Sequence, residues 1–220
     1  MSTSDADREI PEGMSSDAAS TWPPTALIED FLGSAFGNFD FSTLGDGIHE
    51  PTPEEIAAAR EFRTVLGRFA SGVTIVTSAT ADGLMGMTLQ SFSSVSLSPP
   101  LVLIVPAKTS RAWPLIRRAG HFTINLLGAS QEALSNQFAR SGGDKFAGVE
   151  WTESEAGDPR LAGAVGWIDC TVHTVHDAGD HLVVLARVET LVEGESAEPL
   201  VFYRSGYRAL EALRPSDSGR

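Results

Sequence analysis

The sequence predicts a mainly β fold with peripheral helices, a closed antiparallel barrel being the arrangement that suits it best. Three observations lead there. Short runs of β-branched and aliphatic residues, such as Val73-Thr74-Ile75-Val76-Thr77 and Leu101-Val102-Leu103-Ile104-Val105, lie between turn-forming pairs. Strands and helices do not alternate regularly, so a doubly wound parallel sheet is not indicated. The 220 residues are 42% hydrophobic, ample for a sizeable core.

The elements follow in order. Thr52-Pro53-Glu54-Glu55 is a capping box with proline at the first helical position, and it opens the domain. The helix is expected to run to about Phe69, with Ile56, Ala59, Phe62, Val65, Leu66 and Phe69 along one face. After the strand at 73–77, Asp82-Gly83 marks a turn, and a second extended stretch carries Met87, Leu89 and Phe92. Val95 and Leu97 alternate with serines before Pro99-Pro100 interrupts the ladder ahead of the buried run 101–105. Residues 110–119 read as a short helix, 121–127 as a strand, and 130–140 as a helix stopped by Gly142-Gly143. Strands at 165–175 and 181–191 flank a hairpin connection at Asp177-Ala178-Gly179-Asp180, and Leu200 to Tyr203 form a last short strand. The count is roughly seven strands and three or four helices.

Charge locates the boundary of the domain. Residues 1–60 hold twelve acids and two bases, whereas residues 61–220 hold seventeen acids and fourteen bases. The acidity of the chain, net −13, therefore belongs mostly to an N-terminal extension at 1–51. Residues 1–21 are expected to be disordered. Residues 22–50 form an apolar arm in which Leu27, Ile28, Phe31, Leu32 and Phe36 sit near helical spacing, so that part of the extension is expected to be helical. The domain covers 52–213, and 214–220 is a polar tail. An acidic chain is a poor partner for nucleic acid. No apolar run approaches the roughly 20 residues of a membrane helix, and the polar start is not a secretory signal. The expectation is a cytoplasmic protein without nucleic-acid or membrane partners.

Several chemistries find no support. There is no strand-linked G-x-G-x-x-G, no G-x-x-x-x-G-K-[ST] and no G-x-S-x-G. His173 and His176 would face opposite ways on a strand, and Cys170, the only cysteine, reads as a core residue; no metal site is expected. Two segments suit a ligand that joins a ring to an anion. Gly86-Met87-Thr88-Leu89-Gln90-Ser91 offers main chain, hydroxyl and amide groups beside apolar cover. Val105-Pro106-Ala107-Lys108-Thr109-Ser110-Arg111 leaves a buried strand for a helix start, where N–H groups and cations could cradle a phosphate. Lys108 is one of only two lysines, the other being Lys145.

Read together, the stretches FRTVLGRFASGVTIVT, GMTLQSFSSVSLSPPLVLIVPAKTSRAW, FTINLL, DKFAGVEW, HDAGDH and PLVFYRSGYRAL resemble the flavin reductase components of two-component flavin-dependent monooxygenases. The resemblance runs from about Phe62 to Leu210 and leaves the leader outside. It is nearest to reductases serving hydroxylases of phenolic compounds, the steroid-degradation phenol 3-HSA among them. It implies an FMN-binding split β-barrel that passes hydride from NADH or NADPH to exchangeable FMN or FAD. Reduced flavin would then supply a separate monooxygenase acting on an aromatic substrate. It also implies a homodimer.

By the same resemblance, Gly86, Met87, Thr88, Gln90 and Ser91 line the isoalloxazine ring, and Val105, Pro106 and Ala107 lie beside the ring and ribityl chain. Lys108, Ser110, Arg111 and Ala112 hold the phosphate, and Gln137 and Phe138 make a second flavin contact. His181 lies near the nicotinamide and is the candidate catalytic residue, while Leu200, Val201, Phe202 and Tyr203 contact NADH. Met85-Gly86-Met87 departs from the relatives, and bulk there bears on FMN against FAD. The alternatives are an oxidase of the pyridoxamine-phosphate type and a non-catalytic flavin carrier or sensor. The lack of a basic cluster for a second phosphorylated substrate counts against the first. His181 and Tyr203 count against the second.

Overall fold

In a computed structural model of the chain, residues 53–194, 198–208 and 210 are described. The expected extension, the capping Thr52 and the polar tail lie outside the described residues. Helix α1 (Pro53–Leu66) leads into β1 (Ser71–Gly72), β2 (Thr74–Thr80) and β3 (Gly83–Leu89). Then come β4 (Ser93–Leu97), β5 (Pro100–Ile104), α2 (Trp113–Ala119), β6 (His121–Leu126) and α3 (Glu132–Ala139). The remainder is β7 (Trp151–Glu153), β8 (Pro159–Leu161), β9 (Gly166–Ala178), β10 (His181–Glu193), β11 (Val201–Tyr203) and β12 (Gly206–Arg208).

Seven strands form one antiparallel sheet in the order β3-β2-β6-β9-β10-β5-β4. The sheet curls but does not close, which corrects the closed barrel expected from residue patterns alone and agrees with the split barrel. Its edges, β3 and β4, are consecutive in the chain yet do not pair. Ser91, in the link between them, is tied to the end of β5: its Oγ accepts from Val105 N at 3.0 Å and donates to Val105 O at 3.2 Å. The long hairpin β9–β10 is the spine, with His181 opposite Ala178 and Glu193 opposite Gly166. Gly179, at φ +69°, takes the left-handed conformation that its two-residue connection requires.

Two cores result. Val76, Met87, Ile104, Phe122, Ile124, Ile168 and Val184 fill the barrel. Val73, Ile75, Leu127, Phe138, Leu161 and Leu200 pack between the outer face of β2 and α3. Cys170 is buried in the first core, and burial pushes its thiol pKa up, so it is inert as a nucleophile.

Other expectations need adjusting. Helix α1 stops at Leu66, and Phe62, Val65, Leu66 and Phe69 are exposed rather than buried. Helix α2 begins at Trp113 because residues 107–110 form a turn, Ser110 N donating to Ala107 O, and Pro114 suits only a first helical turn. A bulge leaves His173 without a partner on β10, so the alternation shifts there. Both His173 and His176 are exposed.

Glycine at 86 is a packing requirement. A Cβ there would lie 2.5 Å from Cε1 of Phe138, whose ring is 0% exposed and edge-on to Phe146 at 5.0 Å. Gly86→Ala is therefore expected to cost about 1–3 kcal/mol, read as a lower Tm, and Phe138→Leu in the same chain should recover part of it. An unchanged Tm in the single variant would contradict this packing.

Candidate functional site

The open edge of β3 is the natural start, because alternate N–H and C=O groups along an edge strand have no strand partner. Gly86 and Met87 are buried at this edge, and Thr88 Oγ1 donates to the Ser135 carbonyl of α3 at 2.7 Å. The loop after β5 approaches the same strand, Ser110 Oγ lying 3.5 Å from Met87 Sδ. Ser110 Oγ also accepts from Trp113 N at 3.2 Å, tying the loop to the start of α2. Arg111 is exposed and Ala112 half-buried beside it.

The β9–β10 turn completes the assembly. Leu182 N donates to Pro106 O at 2.9 Å, Ala107 forms a bridge with His181, and Lys108 N donates to Asp180 O at 2.9 Å. The Asp180 carboxylate lies 2.8 Å from His181 Nδ1. A carboxylate there favours the tautomer with a proton on Nδ1, which leaves Nε2 as the acceptor. Thus Met87, Ser91, the 105–112 loop and His181 are gathered into one place.

Other candidates fall elsewhere. Gln137 Nε2 donates to the carbonyls of Lys145 and Ala147, at 3.0 and 3.1 Å, and so holds a loop. Phe138 and Leu200 are fully packed, and act on a ligand only through the backbone they support. Gln90 and Leu200 line a cavity of about 390 Å³ that also includes Phe69, Val73 and Phe92. Leu200 N donates to Leu127 O at 2.8 Å and Val201 and Phe202 pair with β1, beside the Glu193 end of the spine. Leu200 to Tyr203 are therefore not brought to His181 within one chain. Lys108, expected to meet phosphate, has its Nζ 2.6 Å from Asp177 Oδ2.

Sequence reasoning missed four contributors. Asp177 and Asp180 stand in the HDAGDH stretch, where the histidine drew attention instead. Tyr207 OH lies 2.9 Å from Ser135 Oγ and donates to Asn136 Oδ1 at 3.0 Å, fixing β12 on α3. Lys145 Nζ donates to the carbonyls of Gly86 at 3.0 Å and Phe138 at 2.9 Å, and burial lowers its pKa from the usual lysine value. Only its rarity marked it in the sequence. Among the described residues no three His, Cys, Asp or Glu side chains are placed to hold a metal ion.

The site thus offers main-chain groups, hydroxyls, cations and one oriented histidine, a set suited to positioning cofactor-sized substrates. Comparison with known proteins agrees. Residues 66–211 match the family described as "Flavin reductase like domain". The chain is 46% identical over 167 residues, 76% of its own length and 84% of the relative's, to the reductase subunit HsaB of a flavin-dependent monooxygenase from Rhodococcus jostii. A homolog of nitrilotriacetate monooxygenase component B from Mycobacterium thermoresistibile superposes with a TM-score of 0.69 at 42% identity, covering 76% of this chain and 97% of that one. The NADH:FAD oxidoreductase SgcE6 of Streptomyces globisporus, in complex with NAD and FAD fragments, gives 0.67 at 34% identity, covering 77% and 99%.

The loop geometry makes a paired prediction. Arg111→Ala should weaken FMN binding about tenfold or more, the scale of a charge-assisted hydrogen bond. Asp177→Asn, which frees Lys108, should tighten it about two- to five-fold, as befits a partly exposed ion pair. Riboflavin, lacking the phosphate, should respond to neither in a fluorescence titration. Equal changes for both ligands would contradict a phosphate role.

Proposed function

The chain belongs to the flavin reductase-like family, and on that premise we propose that it transfers hydride from NADH to FMN or FAD and releases the reduced flavin to a separate monooxygenase. The observation that carries this reading is the convergence of the β3 edge, the 105–112 loop and His181. Residues 52–213 form the reductase domain in this reading and 1–51 an extension.

The chemistry asks little of side chains. The nicotinamide C4–H bond breaks, its electron pair and hydrogen go to flavin N5, and the oxidised nicotinamide and anionic reduced flavin leave. The chain's part is to hold two rings face to face and to stabilise charge on the flavin N1–C2=O edge. Main-chain groups of Gly86 to Ser91 contact the ring edge, and Ser91 keeps Val105 close to it. Ser110, Arg111 and Lys108 take the phosphate, Lys108 exchanging Asp177 for it. His181, steadied by Asp180, orients the nicotinamide through Nε2. The inert Cys170 fits a reaction that needs no thiol.

A homodimer belongs to the same reading. Helix α1 and the turn after it present Phe62, Val65, Leu66 and Phe69 to solvent, with Leu97 and Leu191 exposed elsewhere on the surface, an apolar area that a second copy would cover. Two chains would also let Leu200 to Tyr203 of one meet the His181 turn of the other. No described helix is long and apolar enough to cross a membrane, and NADH as reductant favours a cytoplasmic setting. The relatives' names support a separate partner monooxygenase, and an aromatic substrate for it belongs to the same proposal.

Protein mixed with NADH and excess FMN or FAD is expected to oxidise NADH through many turnovers. His181→Ala should lower kcat/KM for NADH about tenfold, roughly 1.4 kcal/mol of transition-state binding, with flavin affinity unchanged. Flavin binding without NADH oxidation would make the protein a carrier and end the reductase reading.

A further inference from the structure

Lys145 is a cation that this mechanism leaves unused. It sits partly buried on the loop after α3, and its Nζ spans two backbone carbonyls, Gly86 O on the edge of β3 and Phe138 O in the last turn of α3. Among the described residues it forms no ion pair with a carboxylate, unlike Lys108, which is held by Asp177. Its position is enforced from several sides. Gln137 Nε2 grips its carbonyl and that of Ala147, Phe146 packs on Phe138, and Phe138 fills the space over Gly86.

Capping α3 accounts for the hydrogen bonds but not for the charge. A neutral amide donor would satisfy both carbonyls without the desolvation that a buried ammonium suffers. An ammonium carries three donors, and two are used here. A positive charge kept at this cost beside the strand edge implies a negative charge that arrives there. Hydride transfer creates one: the flavin enters with a neutral ring and leaves with an anionic ring, its charge on the N1–C2=O edge. The pyrimidine side of that ring, with alternating acceptors and a donor, complements the alternating groups of a strand edge.

Resting on the reductase reading, we propose that the Lys145 ammonium, anchored on Gly86 and Phe138, is an electrostatic residue of the flavin site that favours the anionic reduced ring over the oxidised one. Its effect is on the ring, so it is the same with or without the ribityl phosphate. That separates it from Lys108 and Arg111, whose partner is the phosphate.

The test compares Lys145→Gln, which keeps a donor and removes the charge, with Lys145→Arg, which keeps the charge. Dissociation constants are measured anaerobically for oxidised and reduced FMN, and again with riboflavin. Lys145→Gln should weaken the reduced form at least tenfold more than the oxidised form, equivalent to a fall of about 30 mV in the two-electron potential of the bound flavin. Lys145→Arg should hold the wild-type ratio, and FMN and riboflavin should agree. Equal losses for the two redox states in Lys145→Gln, or a ratio lost equally in Lys145→Arg, would reduce Lys145 to a strut and overturn the proposal. If Lys145→Gln does not fold, the wild-type protein decides. Bound reduced flavin should keep its anionic absorbance spectrum at an acidity that neutralises free reduced flavin, and loss in step with the free form overturns the proposal. Wild-type protein that binds neither flavin overturns the reductase reading along with it.

Discussion

The β9–β10 hairpin sets the terms for everything else in this chain. Each strand is thirteen residues long, and their pairing runs from the tight turn at Gly179-Asp180 to the Gly166–Glu193 end. At about 3.3 Å per residue that is a ribbon of roughly 40 Å. One end delivers His181 to the loop that leaves β5. The other holds β6 and β2, and through them Leu127, Val73 and the Leu200 segment. Strand β6 holds Gly166–Thr171 toward one end of the ribbon, and β5 holds Val184–Arg187 nearer the turn. The two stretches that resemble nicotinamide contacts thus attach toward different ends of it.

The second constraint is the split. A closed barrel would have consumed the edge of β3 in hydrogen bonds to β4. Instead β3 and β4 stay unpaired, and the Ser91 hydroxyl ties the link between them to Val105 at the end of β5. Helix α3 then serves as a splint. It fixes β3 by Thr88 to Ser135, by Phe138 over Gly86, and by Lys145 across both. Rigid support of this kind is what the proposed hydride transfer asks of a site made largely of backbone, which has to hold two rings in register.

Much of this was legible in the sequence, for identifiable reasons. The runs at 73–77 and 101–105 declared strands by β-branching alone, and the glycine at 179 marked the hairpin. The 105–111 stretch was read as leaving a buried strand for a helix, and it does run from the end of β5 to the start of α2. What could not be read depends on long-range pairing. That β3 and β4 stay unpaired while Ser91 meets Val105 rests on contacts that periodicity does not encode. Strands β7 and β8, three residues each, are too short for an alternating pattern. The bulge at His173 undid a face assignment that assumed strict alternation. Phe138 was placed on the right helix, but its inward aim depends on Gly86, fifty-two positions earlier. The acids at 177 and 180 were hidden by being ordinary in a turn, and only the fold shows one holding Lys108 and the other His181.

In the proposed homodimer, two chains share each site. The most direct test combines a chain carrying His181→Ala with one carrying Tyr203→Ala, each expected at about a tenth of the wild-type kcat/KM for NADH in its own homodimer. When the two are mixed under conditions that exchange subunits, half the dimers are heterodimers, each with one intact composite site. NADH-dependent flavin reduction should then recover to about a quarter of the wild-type rate. A mixture that stays as slow as its parts, with subunit exchange verified, would place both segments on one chain's site and contradict the account.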